Sequence, residues 1–265
     1  IRDRCGYPLD KRIFPWNHAN CGDLNLSGER RPQSYLRETL WSDAPVSHIV
    51  VTPPVPSFPL NPDKADWSVW DFPDVVDHWN FPGYEGKKMT VSVYSNCEQV
   101  ELFLNGESLG KQENTADKKN TLVWEVPYAH GILKAVSYNK GGEVGTATLE
   151  SAGKVEKIRL SADRTEIVAD GNDLSYITLE LVDSKGIRNQ LAEELVEFSI
   201  EGDATIEGVG NANPMSIESF VANSRKTWRG SNLLVVRSGK SSGRIIVTAK
   251  VKALPVASIT ITQKK

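Results

Sequence analysis

In segment after segment between His48 and Ile261, apolar residues of this chain recur at every second position, the period of a strand with one buried face. That alternation limits the fold more than any other feature. Met89, Val91 and Val93 alternate with Thr90, Ser92 and Tyr94, then Val100, Leu102 and Leu104 follow, and Leu122, Trp124 and Val126 close the series. Such a pattern predicts antiparallel strands packed on one side only. Between 100–104 and 108–111 stands Asn105-Gly106, a dipeptide that accepts the positive φ angles of a tight primed turn, so a hairpin is predicted there. Further strands over 132–138 and 144–149 bring the count near the roughly seven of an immunoglobulin-like sandwich.

A second round with the same rhythm begins near Lys154. Ile158 and Leu160 lead to Ile177, Leu179 and Leu181, a turn at 183–186, and then Val196, Phe198 and Ile200. Leu233 and Val235, Ile245 and Val247, and Ile259 and Ile261 complete it. The sequence therefore predicts an all-β chain of two tandem immunoglobulin-like β-sandwiches, at 46–153 and 154–265. The short joint at Ser151-Ala152-Gly153 predicts a semi-rigid pair.

Residues 1–45 differ from the rest. They are loop-rich, and Leu36 and Leu40 recur at helical spacing after Pro32, which predicts one helix near 32–41. A strand, a loop and one helix cannot close a core alone, and a helix of about ten residues is marginal without tertiary packing.

Composition excludes several partners. The net charge is −3 and the bases are scattered, so the sequence offers no stripe for a phosphate backbone and predicts no nucleic-acid partner. No apolar run approaches the roughly 20 residues that span a bilayer, which predicts no membrane insertion by a helix. The first residues, Ile1 to Cys5, lack the apolar stretch of a signal peptide. Three cysteines, Cys5, Cys21 and Cys97, are too few for a disulfide framework.

Three stretches carry a resemblance. Pro15-Trp16-Asn17, then Cys21-Gly22-Asp23 and the run from Gly28 to Arg37, resemble the last strand and helix of the (β/α)8 barrel of glycoside hydrolase family 2 β-galactosidases. His78-Trp79-Asn80 with Gly83 and Gly86, and "YSNCEQVELFLNGESLG" (94–110), are similar to the immunoglobulin-like domain that follows this barrel. "ADGNDLSYITLELVDSKG" (169–186) and "GNANPMSIESF" (210–220) are similar to a more distal β-sandwich of the family. The resemblance implies that residues 1–45 are a loop-and-helix remnant of the barrel, that the upstream barrel of the same polypeptide is a partner, and that the parent takes β-galactoside-type oligosaccharide or polysaccharide. It further implies a retaining mechanism with two glutamates about 5 Å apart at barrel strand ends, upstream of Ile1, no cofactor, and a periplasmic or extracellular parent.

Candidate residues carry plain and functional readings side by side. Trp16 and Asn17 would lie, by the resemblance, on the rim of the parent's sugar site, the indole stacking on a sugar face and the amide bonding hydroxyls; alternatively Trp16 packs the barrel mouth. Glu29 and Glu38, in or beside the helix, read as a solvated charged face and not as catalytic groups. His18, Cys21 and Asp23 are metal-ligating types, but their spacing fits no recurrent zinc motif, so no metal is predicted. Trp67, Trp70 and Trp79 with Phe72, Phe81 and Tyr84 suit either a sugar platform or, as favoured here, sandwich packing. Asp170, Asn172 and Asp173 lack the spacing of a calcium loop and read as turn formers. Two functions follow: a non-catalytic C-terminal portion supporting a barrel, inactive alone, or independent carbohydrate-binding or adhesion-type modules.

Overall fold

The computed structural model describes Pro15, residues 22–57 and residues 73–265. Strands dominate it, and they gather into two compact units, one containing Glu29–Ser151 and one containing Ala152–Lys265.

In the first unit, helix α1 (Ser34–Trp41) precedes strands β1 (Ser47–Val51), β2 (Lys88–Ser95), β3 (Gln99–Leu104), β4 (Glu107–Glu113), β5 (Thr121–Pro127), β6 (Ile132–Asn139) and β7 (Gly142–Glu150). One sheet has the order β1-β2-β5 and the other β4-β3-β6-β7, every pairing antiparallel. The chain crosses between the sheets after β2, after β4 and after β5, as in an immunoglobulin-like sandwich. The alternation explains why: Met89, Val91, Val93, Leu122, Trp124 and Val126 from one sheet meet Val100, Leu102, Leu133 and Ala135 from the other, all buried.

The predicted hairpin joins β3 to β4, with Asn105 at φ 51° and Gly106 at φ 88°. Asn105 also ties this turn to the next hairpin: its Oδ1 accepts from the Ile132 N–H at 2.8 Å and its Nδ2 donates to the His130 carbonyl at 3.2 Å. A Cβ on Gly131 would lie 1.8 Å from that Oδ1, so only glycine fits there.

Three members of the aromatic stretch, Trp79, Phe81 and Tyr84, belong to the core of the sandwich, as favoured for them. Trp79 is fully buried, donates from Nε1 to the Ala129 carbonyl at 2.8 Å, and meets Tyr128 edge-on at 4.9 Å. Phe81 is buried and Tyr84 packs against the same core. Trp67, Trp70 and Phe72 lie outside the described residues.

The second unit comprises β8 (Lys157–Ala162), β9 (Glu166–Val168), β10 (Leu174–Val182), β11 (Leu195–Glu201), β12 (Ala204–Gly210), β13 (Ser224–Lys226), β14 (Ser231–Ser238), β15 (Gly243–Val251) and β16 (Ala257–Lys264). Its sheets are β12-β14-β10-β8 and β13-β11-β15-β16-β9, the last pair being parallel. Ile177, Leu179, Leu181, Phe198, Ile245, Val247 and Ile261 fill the space between them.

One strand is phased differently from the expectation. On β14 the core side chains are Leu234 and Val236, while Leu233 and Val235 lie on the opposite face and are only part-buried. The run Leu-Leu-Val-Val is apolar in both phases, so its sequence does not choose a face; pairing with β10 does.

The acidic turns behave as turn formers. Asp170 Oδ1 accepts from the N–H groups of Asn172 and Asp173, and Asp173 pairs with Arg164 at 2.9 Å. Asp183 accepts from Gly153, Lys185 and Ile187, and although burial alone would raise its pKa, these bonds hold the carboxyl below its ordinary value.

Candidate functional site

A connected group of polar and aromatic side chains in the first unit surrounds α1. Ser34 and Thr39 are buried, and Tyr35 and Leu36 pack with Val50, Val75 and Tyr94 on the outer face of the three-stranded sheet. The helix is therefore seated by its apolar stripe, as an isolated eight-residue helix must be to persist.

Polar contacts lock that seat. Tyr35 stacks on His48 with centroids 4.1 Å apart and planes 10° from parallel, while the Arg30 guanidinium lies 4.6 Å from the Tyr35 ring centroid. Glu38 completes the group, accepting from Arg30 at 2.7 Å and lying 3.0 Å from His48 Nε2. Asn120 donates to Thr39 Oγ1 at 3.1 Å, and Asn96 donates to the carbonyls of Ser42 and Ala44. At the start of β1 the Ser47 hydroxyl lies 2.7 Å from that of Ser95 and 2.5 Å from that of Ser137.

The electrostatics give the acidic member no role as a proton donor. The hydrogen bond from Arg30 holds the Glu38 carboxyl below its ordinary 4.5, so it is an anion near neutrality. Burial of His48 lowers its pKa despite the pull of Glu38, so that ring is neutral over the same range. Burial, then Asp77, raises the Tyr35 phenol above 10.0. These contacts fasten the helix to the first strand of the sandwich.

Glu38 departs from the expected solvated face: its side chain is 33% exposed and clasped from two sides. The missed partner is His48, ten residues away on a strand, and no local spacing announces it. Glu29 accepts from Asn25 Nδ2 at 3.0 Å. Asp23, one of the metal-ligating types noted in the sequence, is ion-paired with Arg37. Trp16 and Asn17, the candidate sugar contacts, lie outside the described residues, as do Cys5, His18 and Cys21. Cys97 is buried and free.

The order of strands defines the first unit as an immunoglobulin-like sandwich and the chain as a tandem β-sandwich protein. Residues 158–260 match the glycoside hydrolase family 2 C-terminal domain 5, and residues 86–145 match DUF4982, a domain of unknown function. Over 253 residues the chain is 30% identical to a β-galactosidase, BoGH2A, of Bacteroides ovatus, the alignment covering 95% of this chain and 26% of that protein. A β-glucuronidase of Formosa agariphila is 30% identical over 205 residues, 75% of this chain and 20% of that one. Among solved structures, a glycosyl hydrolase family 2 member from Bacteroides cellulosilyticus superposes with a TM-score of 0.88 at 96% identity, covering 92% of this chain and 32% of that structure. A β-glycosidase from Bacteroides vulgatus gives 0.77 at 25% identity, covering 91% and 28%. The chain belongs to glycoside hydrolase family 2 and corresponds to its C-terminal region. It spans about a third or less of the length of these relatives.

Proposed function

We propose that this chain is the non-catalytic C-terminal part of a retaining, β-galactosidase-like glycosidase, and that its first sandwich holds the final helix of the catalytic barrel in place for the rest of the enzyme. One observation carries this reading. Helix α1 is fixed to the sandwich through Tyr35, Leu36 and Thr39, yet Leu40 and Trp41 at its end are 63% and 79% exposed. An indole so exposed on a helix fastened along its other side suits a contact with a further body.

The chemistry fits that division of labour. Retaining hydrolysis needs one carboxyl to protonate the leaving oxygen and a second, about 5 Å away, to attack the anomeric carbon. Glu38 is spent on Arg30 and His48, so this reading places both catalytic groups in the barrel outside the chain. Trp16 and Asn17 then orient the sugar and perform no proton transfer.

The test compares the purified chain with its full-length parent on nitrophenyl β-galactoside, β-glucuronide and β-mannoside. Activity confined to the parent is expected, with Trp41→Ser in the parent lowering its thermal midpoint. Turnover by the repurified chain that vanishes in Glu29→Gln or Glu38→Gln would place the chemistry here instead.

A further inference from the structure

In the second unit, charges on neighbouring strands close onto each other: Arg159 on Glu180 at 2.8 Å, Arg237 on Glu207 at 3.0 Å, and Lys264 on Glu166 at 2.7 Å. One directly opposed pair does not. Glu197 on β11 and Lys250 on β15 are register partners, yet among the described residues neither is ion-paired with the other or with a third charge. Both side chains instead line a cleft of about 360 Å³ together with Ser199, Asn223 and Ser224.

The cleft arises from the sheet's edge. The short strand β13 covers β11 only from Leu195 to Glu197, the Phe198 N–H reaches Asn223 O at 2.8 Å, and beyond this the chain turns away. Phe198 itself is buried in the core, so the lining is polar: a carboxylate, an ammonium, an amide and two hydroxyls, none of whose side chains has a hydrogen-bond partner among the described residues.

We infer that this cleft is an accessory binding site for a neutral saccharide. Glu197 and Lys250 cancel in charge, which disfavours phosphate and metal cations alike, while alternating acceptors and donors match the vicinal hydroxyls of a pyranose. No aromatic side chain floors the cleft, so recognition rests on hydrogen bonds and is weak, in the millimolar range, suited to holding a polymer near an enzyme through repeated contacts. The reading of the chain as part of a glycosidase bears only on why such a ligand would be at hand.

The experiment titrates the ¹⁵N-labelled whole chain with galactose, glucose, glucuronate and, separately, inorganic phosphate. Neutral sugars are expected to shift the amides of residues 197–199, 223, 224 and 250 saturably. Glu197→Ala combined with Asn223→Ala is expected to weaken the effect about tenfold while leaving the other amides in place. The inference is overturned if those amides do not respond to any sugar, if phosphate alone moves them, or if the shifts survive the double substitution. None of these outcomes depends on hydrolysis, so failure here leaves the catalytic reading standing, and the reverse.

Discussion

Tyr35 and His48 lie face to face, 4.1 Å between ring centroids, joining a helix to the first strand of a sandwich that begins six residues after that helix ends. The stack is the centre of the helix seat, between Arg30 on one side and the sheet on the other.

Tyr35→Ala removes that stack and part of the apolar seat with Val50 and Tyr94. The expected loss of stability is about 2 kcal/mol, below a full aromatic deletion because Tyr35 is only part-buried. Urea unfolding measures it, and faster hydrogen exchange at the amides of 36–42 locates it. Unchanged exchange there would show that the helix does not depend on the stack.

Acidification loosens the same seat. Burial holds the folded-state pKa of His48 below the ordinary 6.5, so the unfolded chain takes up the proton first as pH falls. The stability contribution is full above 6.5 and declines as pH drops from there toward the folded value. Glu38 acts in a separate window: its lowered pKa adds stability that fades below 4.5. Urea midpoints at about pH 7.5 and about pH 5.5 should therefore differ more in the native chain than in His48→Gln. Equal differences would remove His48 from the account.

In the second unit, Arg225 is 1% exposed and holds a loop by its head group. Nη1 donates to the carbonyls of Val209 and Glu218 at 3.2 Å, Nη2 donates to Ser216 Oγ at 3.0 Å, and the guanidinium sits 4.3 Å from the Phe220 ring centroid. Arg225→Met keeps the stem but abandons these acceptors, for an expected cost of about 3 kcal/mol and faster proteolysis within 211–223. A loss under about 1 kcal/mol would mean that water replaces the guanidinium at little cost.

Gly202, between β11 and β12, has φ 109°, and an added Cβ would lie 2.4 Å from the Arg244 carbonyl oxygen. Gly202→Ala should cost about 2 kcal/mol or more, since both the dihedral and the contact must relax. A thermal melt showing no change would indicate that the β11–β12 turn shifts freely.

Periodicity made much of this architecture legible. Met89 to Val93 and Ile177 to Leu181 have one apolar phase each, so strand and face followed together, and Asn105-Gly106 named its own turn. Leu233 to Val236 has two apolar phases, so only the partner strand could decide its face. The helix seat was illegible for a different reason: Arg30, Glu38, His48 and Asn120 are brought together by packing across distant positions, which a linear pattern does not encode. The same holds for the cleft, since Glu197, Asn223 and Lys250 become neighbours only through the β13-β11-β15 order.

That order also sets a sequence of events in folding. Strand β9, near the start of the second unit, is held in its sheet only by the parallel pairing of Glu166–Val168 with Thr262–Lys264 on β16. On a ribosome, β9 must wait for nearly the whole unit to emerge before its partner exists, so this sandwich cannot complete its five-stranded sheet strand by strand during synthesis. Closure of so long a loop is slow, and until β9 docks the outer edge of β16 is open to pairing with other chains. The interval between formation of the β15–β16 hairpin and docking of β9 on it is therefore when this unit is most exposed to misassembly.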